Sequence, residues 1–415
     1  MNIKEKLARL NPGIQPKPGR PSQTPSSDLS RFLPGSACAT ARGNCWLNRV
    51  TFAAGCRHGR ALIGDLLKND PSYLRHTTRH PGAENSVFQR LLFIDTETTG
   101  LSGGTGTLAF LVGLGFFDGR RFVVEQYMIR SFAEELPLLS RLGELLQRAK
   151  APGGAVVSFN GKSFDMPLLA NRAVFHRLHD FPADLPHIDL LYPARRLWKS
   201  VLPGCSLGTL EAEILQVRRT GDIASWLIPR TFFRYLRTAD PRPLLPVLYH
   251  NQMDILSMVV LLNLLLDIVS RRQPDPPVPL DSMAVGRMLE DAHDLPACLE
   301  FYRTLLRSGM PGAAQKQVLL RMAQLHKKHR NHRAAIPLWQ QALDCPGFSV
   351  EPYVELAKAY EHHIGDLMRA KEYTCRALEN IRGLEQLQPH PDYRHHEKNL
   401  AWRLRRLERK LAKRL

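Results

Sequence analysis

Four apolar residues, Leu91-Leu92-Phe93-Ile94, run directly into Asp95-Thr96-Glu97-Thr98-Thr99-Gly100. A short unbroken apolar run closed by a glycine turn predicts a buried strand. Side chains alternate across a strand, so Asp95 and Glu97 share one face at its end. Two carboxylates held that close, against a core, repel each other and lose hydration unless a cation sits between them. Mg²⁺ and Mn²⁺, hard ions that take oxygen ligands, meet that need. An Asp-x-Glu pair alone fits a solvated strand end equally well, so the remaining acids decide.

They follow in order. The apolar run Ala155-Val156-Val157 leads through Ser158-Phe159-Asn160-Gly161-Lys162-Ser163-Phe164 to Asp165-Met166-Pro167-Leu168-Leu169. Further on, Tyr249-His250-Asn251-Gln252-Met253-Asp254-Ile255-Leu256 sets His250 and Asp254 one helical turn apart on a common face. Asp95, Glu97, Asp165 and Asp254, in this order and with a His or Tyr near the last, resemble the DEDD exonuclease superfamily, the DnaQ-like branch of the ribonuclease H fold. The Asn-Gly-Lys-x-Phe-Asp-x-Pro-Leu segment from Asn160 and the His-Asn-x-x-Asp-Ile-Leu-Ser segment from His250 are similar to signatures of YprB-type ribonuclease H-like proteins. The similarity covers roughly residues 88 to 270.

That resemblance implies an α/β domain, a mixed sheet flanked by helices. It implies a metal-dependent 3′–5′ exonuclease that frees nucleoside 5′-monophosphates from single-stranded DNA or RNA. Two divalent cations, Mg²⁺ or Mn²⁺, would be held by Asp95, Glu97, Asp165 and Asp254. The superfamily places a His five positions before the last Asp, or a Tyr four positions before it. Here the two types are exchanged: Tyr249 is at minus five and His250 at minus four. His250 is favoured as base because it shares a helix face with Asp254 and imidazole is the side chain suited to proton transfer near neutral pH; Tyr249 is held in reserve. Asp189, followed by Leu190-Leu191, is a reserve ligand or a support. Thr98, Thr99, Gly100 and Leu101 are expected to approach the terminal nucleotide, Asn160 and Lys162 to reach a phosphate, and Arg195, Arg196, Lys199, Arg218 and Arg219 to extend a phosphate track. Two other readings stay open: an idle nucleic-acid-binding scaffold, and a structure-specific endonuclease of the same fold.

The 415 residues exceed one ordinary domain. Residues 1–40, rich in Pro, Ser and basic groups, are expected to be disordered, and 41–87 to be a lead-in packed on the nuclease domain, 88–272. A Pro-rich linker follows at 273–282. Residues 283–385 read as helical throughout, with Ala335-x-x-x-Trp339-x-x-Ala342-Leu343 recurring as Ala370-x-x-x-Thr374-x-x-Ala377-Leu378. This is similar to tetratricopeptide repeats, which implies an all-α repeat domain and a possible protein partner. Residues 386–415 form a basic amphipathic helix with a Leu400, Leu404, Leu407, Leu411 stripe.

The formal net charge of +18 points to a polyanion, nucleic acid before membrane. The apolar stretches around 108–117 and 258–269 are short for a membrane span, so none is expected. Seven cysteines without a framework spacing fit a reduced, cytoplasmic compartment.

Overall fold

The structure is a computed structural model that describes residues 31–78, 80, 82–100, 106–182, 184–270, 280–387 and 391–413. The chain forms two compact units. The first takes the described residues up to Arg195 and those from Leu202 to Ser270; the second takes Arg196–Val201 and those from Leu280 onward.

Among the described residues, the first unit is built on a seven-stranded mixed sheet. Its strands are β1 (Ser36–Thr40), β2 (Gly43–Phe52), β5 (Leu91–Thr98), β6 (Ala109–Asp118), β7 (Arg121–Met128), β8 (Ala155–Ser158) and β9 (His187–Asp189). A small separate hairpin joins β3 (Arg57–His58) to β4 (Ala61–Leu62). The sheet order is β1-β2-β7-β6-β5-β8-β9, with β8 parallel to both β5 and β9 and the other pairs antiparallel. Central β5 has parallel and antiparallel neighbours and is covered on both faces, which explains its continuous apolar start. The β6–β7 hairpin closes at Gly119, whose φ of +59° suits the first position of a tight turn.

The N-terminal boundary differs from expectation. β1 lies inside the segment expected to be disordered, and β2 belongs to the main sheet, where Trp46 pairs with Met128. Polar residues on an edge strand mask its pairing, because one face meets solvent. Within the lead-in segment, β4 runs directly into a short 3₁₀ turn, Ile63–Lys68. Residues 1–30, expected to be disordered, and most of the expected linker lie outside the described residues.

Two layers of helix cover the sheet. On one face, α1 (Glu135–Lys150) buries Leu138, Leu139, Leu142, Leu145 and Leu146. It is tied to α2 (Asp165–Phe175) by buried Glu135, which accepts two hydrogen bonds from Arg172 at 2.5–2.6 Å and one from His176 at 2.8 Å. α3 (Ile228–Thr238) adds Phe232, whose ring stacks on Phe110 at 4.1 Å. On the other face lies α4 (Leu245–Val269). Gly113 and Gly115 of β6 let it come down flush, since a methyl group at either would overlap Asn251 or Ile255. The helical stretch Arg242–Val269 is long and apolar enough to cross a bilayer, although the sequence stretches looked too short. Burial of 83% of its most apolar window inside the fold accounts for that apolarity.

The second unit is all helix: α5 (Ser282–Asp291), α6 (Leu295–Arg307), α7 (Gly312–Lys328), α8 (His332–Asp344), α9 (Glu351–Ala359), α10 (Leu367–Leu387) and α11 (Pro391–Ala412). The repeated small residues Ala335, Ala342, Ala370 and Ala377 are fully buried, as are Trp339 and Thr374. Leu400 and Leu407 of α11 are buried in this core, and Leu404 and Leu411 pack against it.

Candidate active site

β5 delivers Asp95 and Glu97 toward α4, in register with Gly113 and Leu111 of β6. The pairing slips between Glu97 and Thr98, a bulge that ends the ladder beside the acids. Thr96 points to the opposite face, where its hydroxyl donates to the Asp165 carboxylate at the start of α2. The strand end is thus gripped from both faces. α4 brings Asp254, and α2 brings Asp165.

Asp95 and Glu97 feel the charges of the acids around them. Burial pushes the Asp95 carboxyl well above the usual range, and the charges of Asp254, Glu97 and Asp165 push it further, against a hydrogen bond from Asn251. Burial does the same to Glu97, reinforced by Asp254, Asp165 and Asp222. Burial raises Asp165 to about 6, opposed by the Thr96 hydroxyl. So much confined negative charge is relieved by protonation or by a cation.

A cation already reaches part of the site. The Arg219 guanidinium, largely buried, pairs with Asp254, with Glu211 and with Asp222. Glu211 in turn accepts from Ser257, which hydrogen-bonds His58 of β3 at 2.7 Å. Arg219 was expected on a phosphate track. The structure instead turns it inward, because buried Glu211 and half-buried Asp254 offer two carboxylates to one planar fork. Its neighbour Arg218 is exposed.

His250 is held at Nδ1 by Asp222 at 2.9 Å, and its Nε2 faces Asp254 at 3.7 Å and the Ser225 hydroxyl at 3.5 Å. Tyr249, one residue earlier, is rotated from Asp254 by well over a quarter turn. Asn251 is completely buried. It donates to the Asp95 carboxylate at 2.8 Å and accepts from Gln126 at 2.9 Å. Gln126 accepts in turn from Asn48 of β2 at 2.8 Å.

Asp189 lies near enough for its charge to raise the Asp165 carboxyl, while backbone groups take up its own oxygens. It is buried, and its oxygens accept from the backbone N–H groups of Asn160 (2.8 Å), Lys162 (3.1 Å) and Leu191 (3.0 Å). It braces the turn that carries Asp165, in which Asn160 holds a φ of +70°. The backbones of Asn160 and Lys162 are committed to that turn, and the Lys162 side chain is exposed. A cleft of about 240 Å³ opens beside the acids, lined by Glu97, Thr98, Gly100, Phe164, Asp165 and Ser225 among others. The Thr98 hydroxyl closes a turn onto the Gly100 carbonyl at 2.8 Å. Thr99 is taken up by Leu108, through its hydroxyl and its backbone. Leu101 lies outside the described residues.

Sequence reading missed the roles of Arg219, Glu211, Asp222 and Asn251. Only Asn251 carried a signal, adjacent to His250 and three residues before Asp254. All-oxygen donors suit Mg²⁺ or Mn²⁺, and Asp95, Glu97, Asp165 and Asp254 are the residues that would hold such ions. Among the described residues no three His, Cys, Asp or Glu side chains converge as a ready-made ligand cage. The donor chemistry fits a divalent cation, and Arg219 is the group that would have to yield at Asp254.

The mixed sheet flanked by helices, with acids at the end of its central strand, is a ribonuclease H-like architecture, followed by an all-helical region. Residues 92–266 match the family model of the RNase H superfamily. The chain is also 28% identical over 379 residues to the "Uncharacterized protein YprB" of Bacillus subtilis (strain 168), covering 89% of this chain and 86% of that protein.

Proposed function

We propose that this protein is a divalent-metal-dependent nuclease of the DEDD type, acting as a 3′–5′ exonuclease on single-stranded DNA or RNA. The observation that carries the reading is the charge repulsion that Asp254 and Asp165 exert on buried Asp95 and Glu97, three separate elements supplying these acids, at a cost that a bound cation would relieve. Bound Mg²⁺ or Mn²⁺ would supply that charge and the Lewis acidity phosphodiester hydrolysis needs. The protein's own groups do the rest. Asn251 and Thr96 aim the Asp95 and Asp165 carboxylates. Asp222 holds the Nδ1 side of His250, which leaves Nε2 to accept a proton from an attacking water in the cleft. Thr98, Gly100 and Phe164 line the space for the terminal nucleotide. The helical unit is a tetratricopeptide-like partner surface in this reading, and the protein works in the cytoplasm.

One observation favours a second reading. Arg219 seated on Asp254 is the arrangement expected of a fold retained as a nucleic-acid-binding scaffold without turnover.

The test is degradation of 3′- and 5′-labelled DNA and RNA oligomers with Mn²⁺ or Mg²⁺, beside Asp95→Asn and Asp254→Asn. Metal-dependent mononucleotides from the 3′ end, lost in both variants, are expected. Internal fragments would indicate an endonuclease. Binding without cleavage, unchanged in the variants, would leave the scaffold.

A further inference from the structure

α11 divides its basic residues between two tasks. Arg403, Arg406 and Lys410 turn inward onto Glu361, whose side chain has no exposed surface, at 2.8, 2.6 and 2.8 Å. These three cations dock the helix. Lys398, Arg405 and Arg409 are exposed, and none pairs with a carboxylate among the described residues. With Trp402 they recur at intervals of four, three and four residues, which places all four on one helix face. The stripe is about 16 Å long.

Trp402 is 58% exposed, as Trp226 is at 60%, whereas Trp46, Trp198 and Trp339 are buried. The Arg406 guanidinium lies over its ring at 4.9 Å while anchored on Glu361, so the indole is held in place. Beside it opens a hollow of about 330 Å³ lined by Lys398, Ala401, Trp402 and Arg405, with the Arg382–Glu397 ion pair (2.7 Å) at its edge.

We infer that this stripe is a binding site for single-stranded nucleic acid. A base stacks at Trp402, and the flanking phosphates meet Lys398, Arg405 and Arg409. A preset aromatic between unpaired cations one turn apart matches alternating bases and phosphates. A duplex keeps its base faces internal and offers Trp402 nothing to stack on. A membrane surface fits less well, because the helix has already committed Leu400, Leu404, Leu407 and Leu411 to the helical core and keeps no second apolar face to insert. The site stands apart from the catalytic reading and does not depend on cleavage.

The experiment is fluorescence anisotropy of a labelled 12-nucleotide deoxythymidine strand with the full-length protein in EDTA. Trp402→Ala should weaken binding about tenfold. Arg405→Glu/Arg409→Glu should weaken it further and flatten the salt dependence by about 1.4 in log–log slope. Trp402→Phe should keep most of the affinity, and circular dichroism should show every variant folded. Binding unchanged in Trp402→Ala, or equal affinity for a duplex of the same length, would overturn the proposal. So would phosphatidylglycerol vesicle binding that is lost in the variants while oligomer binding persists.

Discussion

The Asn251 amide donates to the Asp95 carboxylate at 2.8 Å, and through this bond the long helix α4 sets the direction of the central acid of the sheet. The same side chain accepts from Gln126, which accepts from Asn48, so a buried chain of amides runs from β2 through β7 and α4 to the site. Each member is matched, and such networks hold one arrangement because any break leaves a buried polar atom unpaired. Asn251→Leu should therefore destabilise the protein by about 1–3 kcal/mol in urea unfolding. It should also cut cleavage sharply, since Asp95 loses its orienting partner. Unaltered stability and turnover would show that this chain of amides positions nothing.

Gly113 tests the same geometry from the strand. A methyl group at this position would overlap the Asn251 amide. Gly113→Ala should cost about 1–3 kcal/mol by forcing α4 away from the sheet. It should lower cleavage with no change in the chemistry of any ligand. The equivalent change at Gly119, strained by its φ of +59° but with open space around it, should destabilise the protein and leave cleavage by the folded molecules as it was, and comparing the two separates packing at the site from general loss of stability.

Arg219 is a cation shared by Glu211 and Asp254, whose side chains are 4% and 17% exposed. Arg219→Gln strands both charges and should destabilise the metal-free protein by about 3–5 kcal/mol. Added Mn²⁺ should then raise the melting temperature of the variant more than that of the wild type, because no guanidinium has to be displaced from Asp254. Equal metal-induced shifts in the two proteins would mean that Arg219 does not compete for this carboxylate.

The acid cluster also sets a pH dependence. Burial raises the Asp165 carboxyl from its ordinary 3.8 to about 6. A raised carboxyl binds its proton more tightly in the folded chain, so its contribution favours folding below 3.8 and is lost as pH rises through 6. Without metal, the melting temperature of the wild type should fall relative to that of Asp165→Asn across this window. Asn keeps an acceptor for Thr96 but cannot ionise. With Mn²⁺ present the difference should shrink, since the cation replaces the proton. Parallel curves in EDTA would rule out Asp165 as the titrating group.

Local pattern was enough to establish much of this protein. The apolar run into Asp95 and Glu97 and the helix face shared by His250 and Asp254 follow from periods of two and 3.6 residues, which act over a few neighbours. So does the leucine stripe of α11. Tertiary structure alone decided which polar groups meet. Asn48 and Gln126 are 78 residues apart, Arg219 and Asp254 35, His58 and Ser257 199. Periodicity marks which face is buried but not what lies opposite. That is why β1 read as disordered, β2 as part of a packed lead-in, Arg219 as a phosphate-track cation, and Asp189 as either a reserve ligand or a support. Each depends on a partner that only folding supplied: the neighbouring strand β7, the Glu211 and Asp254 carboxylates, three backbone N–H groups.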